Sequence, residues 1–290
     1  MVGAGPVRHD LERQMFLHED FLYVDLNKTG TVAVEKALGT LGFKPQKYKH
    51  HGKPTKADVQ SRKVFATIRD PWSFYLSLWA YGVTHATLSG PYTRLTKFNP
   101  LGGRGGSINR SAAALSIPTY LAQSLSYDWK TAHERLYGAM EVERFRNWLP
   151  IILDPKRATF ISGVFSQSGM VRHSGLLTYR YCKLLCFDSA TLHSRKLTTL
   201  DALKAWEEEQ CYVDHFVQTA NLMPDLVDTL ARIGAIGDAE AALTQVGATR
   251  SNSTLSSESK LATYYTPELV AAVAERERFL IDKFHYPAPM

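Results

Sequence analysis

Cysteine is scarce in this chain: Cys182, Cys186 and Cys211 are the three among 290 residues. The count is odd and no two form a C-x-x-C pair. A disulfide framework or a zinc site is therefore disfavoured, and buried free thiols are expected. Long apolar runs are missing too, none approaching the roughly 20 residues that span a bilayer. The opening segment, Met1-Val2-Gly3-Ala4-Gly5-Pro6-Val7-Arg8-His9-Asp10, carries no hydrophobic signal core, so a cytoplasmic location is expected. There is no internal repeat and no long block of one charge. The net charge of +6 is spread along the chain; it favours an anionic partner, and a nucleotide or acidic glycan fits it as well as nucleic acid does. With 44% hydrophobic and 21% charged residues, the chain has enough apolar material for one large α/β domain or two small ones.

What is present is a strand that runs into a phosphate-binding turn. Phe21-Leu22-Tyr23-Val24 is apolar, Asn27-Lys28-Thr29-Gly30-Thr31 forms the turn, and an amphipathic helix follows over about 32–41. Backbone N–H groups at such a turn, the positive end of the helix dipole and the Lys28 ammonium all favour an anion. The spacing is not G-x-x-x-x-G-K-[ST], because Lys28 precedes Gly30, the turn's one glycine. An ordinary nucleoside triphosphatase is thereby disfavoured. Taken alone, the same four residues also fit a strand–turn–helix with no ligand.

A second apolar run, Lys63-Val64-Phe65-Ala66-Thr67-Ile68, ends at Arg69-Asp70-Pro71, and an aromatic-rich helix follows through Trp79. Two strand–helix units so close together predict a parallel sheet with helical crossovers and a ligand at the carboxyl ends of the strands. Pro71 suits a first helical turn, which puts Ser77 about two turns into the helix and Arg69 at the strand end. Both can then reach one phosphate, Arg69 as a fork and Ser77 as a neutral donor. The bland alternatives are a surface ion pair for Arg69-Asp70 and a plain helix hydroxyl for Ser77.

Further along, residues 84–116 read as an irregular excursion around Gly102-Gly103-Arg104-Gly105-Gly106. Helices are expected over 117–126 and 142–149 and a short strand over 159–162. Residues 211–216 are open between a strand and the start of a helix leading toward 233. Residues 238–259 read as mostly loop, and Thr266-Pro267-Glu268 opens a final helix with Leu269, Val273, Phe279, Leu280 and Phe284 on its buried face.

With both phosphate grips in view, the chain resembles the PAPS-dependent sulfotransferases, especially their carbohydrate-modifying branch. Asn27-Lys28-Thr29-Gly30-Thr31-Val32 is similar to the family's 5′-phosphosulfate loop, P-K-T/S-G-T-T/S. Arg69-Asp70-Pro71 through Ser77 is similar to its 3′-phosphate motif, R-D-P-x-x-x-x-x-S. Tyr212-Val213-Asp214-His215-Phe216 through Leu226 resembles its later sheet edge and helix. Arg250-Ser251-Asn252-Ser253, Tyr264-Tyr265-Thr266-Pro267-Glu268-Leu269 and the closing Phe284-His285-Tyr286 resemble its nucleotide-covering loop and last helix. The likeness covers both ends of the chain around a divergent middle. Asn27 stands where the family has Pro, and Val32 where it often has Thr or Ser, one hydroxyl fewer.

The resemblance implies one α/β domain over 1–290, a three-layer P-loop-type fold whose central, mainly parallel sheet is flanked by helices. It implies transfer of a sulfuryl group from 3′-phosphoadenosine-5′-phosphosulfate (PAPS) to a carbohydrate or glycolipid hydroxyl, with no metal and no nucleic acid. Lys28 would meet the leaving bridge oxygen, with Thr29, Gly30 and Thr31 giving backbone donors and the two threonines adding hydroxyls. Arg69 and Ser77 would hold the 3′-phosphate, and Arg250, Asn252 and Ser253 would close over the adenosine. A histidine in the loop after the first helix would be the base, His51 favoured over His50. His173 and His215 have nothing in sequence tying them to the turn, and Glu35 is open between a base and a solvent-facing residue of the first helix. Trp72 and Phe74 are open between adenine contact and core. Arg94, Lys97, Arg104, Arg110, Lys49, Lys53 and Arg172 suit an acidic sugar or a solvated basic surface. The competing classes are a P-loop nucleotide kinase and a catalytically silent nucleotide- or glycan-binding relative.

Overall fold

The computed structural model describes residues 15–45, 53–86, 90–99, 114–247 and 258–289. In β2 (Phe21–Val24) every side chain is buried, and in β3 (Lys63–Ile68) all but the first. Strands covered on both faces read this way. β2 and β3 pair in parallel, with Tyr23 opposite Phe65. β4 (His215–Gln218) joins β3 in parallel, and β1 (Met15–Leu17) lies antiparallel to β2. The product is an open, mainly parallel sheet in the order β1-β2-β3-β4.

The two-residue period of the strands divides their side chains between two apolar clusters. Leu22, Val24, Val64, Ala66 and Ile68 belong to the larger one, beside α3 (Pro71–Thr84) and the helices of the long connection from β3 to β4. Phe21, Tyr23, Phe65 and Val217 belong to the other, with Val34, Ala37 and Leu38 of α1 (Thr31–Thr40) and Leu226 and Leu230 of the helix Leu222–Arg232. Helices thus cover both faces of the sheet, as expected for the α/β class.

α3 begins where the sequence signals it. Asp70 caps it by accepting from the Ser73 N–H at 2.8 Å, and Pro71 occupies the first position, where a missing N–H costs nothing. Trp72 and Phe74 are buried in the larger cluster, so their place is in the core and not against a base. α2 (Lys56–Gln60) is opened by a reciprocal capping box between Thr55 and Asp58.

Several expectations need correction. The 84–116 excursion contains α4 (Gly90–Thr96), while 87–89 and 100–113, with Arg104 and Arg110, lie outside the described residues. Residues 159–162 are not a strand: Pro155–Phe160 is a 3₁₀ helix, opened by the Asp154 side chain bonding Lys156 N. Ala239–Gly247 is helical where a loop was expected, because Ala242 and Val246 pack into the smaller cluster. Residues 211–216 resolve into the approach to β4, the preceding helix having ended at Gln210. The final helix breaks into Pro267–Arg276 and Arg278–Phe284.

Glu277, at that break, explains it. Its carboxylate is fully buried and accepts from the Leu177 N–H (3.0 Å), the Thr178 N–H (2.8 Å), the Thr178 hydroxyl (2.6 Å) and the Tyr75 hydroxyl. It therefore caps the helix Leu176–Leu185 from a distant part of the chain and ties it to α3.

Candidate phosphate-binding site

The three parallel strands end on one edge, and the turn after β2 lies there. The Thr29 N–H bonds Leu26 O at 3.1 Å. Lys28 and Gly30 both take left-handed backbone, φ 72° and 92°. Glycine is free to do so, and a Cβ at position 30 would also press on the Leu222 side chain at 3.0 Å, which would have to give way. Lys28 has no such freedom, and its conformation costs about 1 kcal/mol or more. Strain of this kind persists where the surroundings impose it. Gly30 begins α1 with no side-chain cap and no acid in the first turn, so the helix presents uncapped N–H groups beside its positive dipole end.

The two threonine hydroxyls do not join them, which corrects the expectation for both. Thr29 donates its hydroxyl to Leu26 O and lies 2.6 Å from the Thr67 hydroxyl of β3, which is 3.1 Å from the Tyr23 hydroxyl. The Thr31 hydroxyl donates to Asp25 Oδ1. Both side chains brace the turn against the strands beneath, leaving the backbone to face an anion. Asn27 and Val32 are exposed.

α3 organises the charges. Arg69 donates from Nε to the Ser73 hydroxyl at 2.8 Å and from Nη1 to Lys28 O at 3.2 Å, so it spans from one strand end to the next. Lys28 Nζ rests 3.8 Å from the centroid of the Tyr81 ring. Ser73, Ser77 and Tyr81 follow one another at single-turn spacing on one face of α3. Half-buried Ser77 therefore stands between the residue that holds Arg69 and the residue that holds Lys28. Arg69 bonds Ser73, not Ser77, and the Asp70 carboxylate is turned to Ser73, so an Arg69–Asp70 ion pair does not form.

Burial lowers the Lys28 pKa to about 8, with Arg69 and Arg180 adding to the fall and Asp25 opposing it. Burial also lowers Arg69. Asp25, buried under the turn, moves the other way: desolvation raises it to about 7, helped by Glu35 and opposed by the Thr31 hydrogen bond and Lys28. Sequence reasoning missed Asp25, Ser73, Tyr81 and Arg180. The repeat of four around Ser77 was a usable signal for Ser73 and Tyr81; none existed for Arg180, more than a hundred residues away.

No family model, curated protein or solved structure matches the chain.

His50, His51, Arg250, Asn252 and Ser253 lie outside the described residues. Of the other histidines considered, His173 has its ring nitrogens 3.1 Å from Leu197 O and 3.0 Å from the Ser174 hydroxyl, and His215 opens β4 at the end away from the turn. Lys53 is occupied as well: it donates to Cys186 O, Phe187 O and the Ser189 hydroxyl. Cys186, Glu207 and Cys211 come within 4.8 Å of one another. Glu207 already accepts from the Tyr181 hydroxyl (2.5 Å) and from Lys283 (3.0 Å), which suits a structural carboxylate better than a metal ligand. At the strand ends the donors suit an anionic group. Uncapped N–H groups, an ammonium on an aromatic face and a guanidinium with spare donors converge there.

Proposed function

We propose that the protein is a PAPS-dependent sulfotransferase of the P-loop type, acting on a hydroxyl of a carbohydrate or glycolipid. The observation that carries this reading is the pairing of Lys28 and Arg69 at the ends of adjacent parallel strands, joined by the Arg69–Lys28 O bond and flanking Ser77. Two cationic grips one strand apart suit a nucleotide phosphorylated at both its 5′ and 3′ positions, and the turn lacks the Walker lysine that a triphosphate site requires.

In this reading the turn's N–H groups and the α1 dipole hold the 5′-phosphate, and Lys28 supplies positive charge where the leaving oxygen becomes negative. Its lowered pKa fits a group held in a partly dry, cation-rich site. Arg69 and Ser77 take the 3′-phosphate, with Ser73 fixing the guanidinium. The resemblance assigns Arg250, Asn252 and Ser253 to the nucleoside and His51 to removal of the acceptor's proton.

Calorimetry with 3′-phosphoadenosine-5′-phosphate (PAP) against ADP with magnesium tests the nucleotide. Binding of PAP without magnesium is the expected result, and preference for magnesium-ADP would make the protein a kinase-type enzyme instead. Transfer of labelled sulfate from PAPS to a glycan panel then tests the activity. No transfer despite PAP binding would mark a silent relative, and unchanged turnover in His51→Ala would remove that residue from the base role.

A further inference from the structure

The face of α3 that carries Ser73, Ser77 and Tyr81 ends one turn later at His85. The imidazole lies flat on the Tyr81 ring, with centroids 4.6 Å apart and planes 14° off parallel. Tyr81 is also the ring on which Lys28 Nζ rests, 3.8 Å from the centroid. Imidazole and ammonium therefore share one aromatic platform, and their separation cannot exceed those two distances laid end to end. His85 is exposed, so a molecule arriving from solvent can meet it.

A short chain of hydrogen bonds fixes the ring's proton. The Thr84 hydroxyl donates its one hydrogen to Ala80 O at 3.0 Å, and its oxygen lies 2.7 Å from His85 Nδ1. With that hydrogen spent the Thr84 oxygen can only accept, so Nδ1 carries a proton and donates it. In the neutral imidazole Nε2 then bears the lone pair. Among the described residues nothing bonds Nε2. A basic nitrogen with an open lone pair, oriented through the other side of its ring, is what general-base catalysis requires. The plain alternative is a surface histidine that ends the helix, and the His85 N–H does bond Tyr81 O at 2.8 Å. That bond uses backbone alone; it neither stacks the ring on Tyr81 nor sets its tautomer.

The geometry points to His85 as the base that takes the proton of the acceptor hydroxyl, the role the resemblance gives to His51. The inference rests on the sulfotransferase reading. Nε2 accepts the hydroxyl proton while an electron pair of that oxygen forms the new bond to sulfur. The bond from sulfur to the 5′-phosphate oxygen breaks, and its electron pair leaves on that oxygen, beside Lys28. PAP and a sulfate ester result, and the imidazolium passes its proton to water. Thr84 is a positioning residue: it orients the ring and keeps the proton on Nδ1.

The test uses the full-length chain. Nitrogen NMR of the imidazoles, with His85→Gln to assign the signal, should show the neutral ring protonated at Nδ1, and Thr84→Val should shift the proton toward Nε2. Calorimetry with PAP reads binding. Turnover is read as labelled sulfate passing from PAPS to a panel of neutral and acidic disaccharides and to water. His85→Gln alters an exposed side chain and should leave the fold intact; its kcat should fall about a hundredfold or more while PAP affinity stays within about twofold. In His85→Ala, added imidazole should restore part of the rate. Thr84→Val should lower kcat about fivefold, the worth of one hydrogen bond. A parent ring protonated at Nε2 would overturn the proposal, as would unchanged kcat in His85→Gln. An equal or larger loss in His51→Ala would return the role to that residue. With PAP bound, each of these results ends the His85 assignment alone. Failure of PAP to bind would end the sulfotransferase reading and the base with it, and a parent that binds PAP but transfers nothing would be a silent relative with no base.

Discussion

Two sites in this molecule hold charge away from bulk water, and they are built in opposite ways. At Glu277 the carboxylate receives four donors from the helix Leu176–Leu185 and Tyr75. At the strand ends Arg69 bonds only neutral groups, the Ser73 hydroxyl and Lys28 O, and Lys28 rests on the Tyr81 ring while Arg69 and Arg180 add to the fall in its pKa. A buried charge that serves the fold is satisfied by the fold. Like charges that repel one another lower stability even where Asp25 and Asp70 offset part of the repulsion, and such a group makes sense where a ligand supplies further negative charge. The strained Lys28 backbone belongs to the second kind of site.

The sharpest test of this contrast is Glu277→Gln. Replacing an acceptor-only group with an amide turns an NH₂ toward donors, and about 3 kcal/mol or more of unfolding free energy should be lost in urea titrations. PAP affinity of the folded fraction should be unchanged. Lys28→Gly should behave in reverse. It removes the charge and relieves the left-handed strain, so PAP binding should weaken about thirtyfold or more while Tm stays within about 2 °C. A large loss of stability in Lys28→Gly would make the turn structural and erase the contrast.

Asp25 lies between the two types, and pH separates them. Its carboxyl keeps a proton up to about pH 7 in the folded protein, while the unfolded chain releases it near about 3.9. The folded state therefore binds the extra proton, so this group's contribution is full at low pH and is lost as pH rises through that window. The slope is at most ~1.4 kcal/mol per pH unit. Subtracting the Asp25→Asn profile from that of the parent in urea titrations between about pH 4 and 7 should reveal it, and coincident profiles would show that Asp25 is ionised throughout. The smallest effect belongs to Ser77→Ala. One hydroxyl hydrogen bond to an ionised phosphate is worth ~1.5 kcal/mol, so PAP affinity should fall about tenfold with stability untouched. No change would leave Ser77 as a plain helix hydroxyl.

The local features were legible because their causes are local. The two parallel strands, the turn with its left-handed glycine, the Asp70-Pro71 start of α3 and the cap at Thr266 each follow from neighbouring residues. The helix over 239–247 and the 3₁₀ helix at 155–160 were missed, where packing overrides a weak pattern. The threonine hydroxyls of the turn were misread because residue type says nothing of direction: Thr67 on the next strand and Asp25 beneath the turn claim them.

By itself the sequence determined an α/β chain with a lysine- and glycine-bearing turn after one strand and an arginine after the next, since strand period, glycine and helix starts act over a few residues. Tertiary structure alone decided what surrounds them. Ser73 and Tyr81 hold the two cations on either side of Ser77, and a helix from far along the chain carries Arg180, whose charge acts on Lys28. Those encounters depend on packing across long sequence separations. Only the folded chain could turn scattered positive residues into one concentrated site.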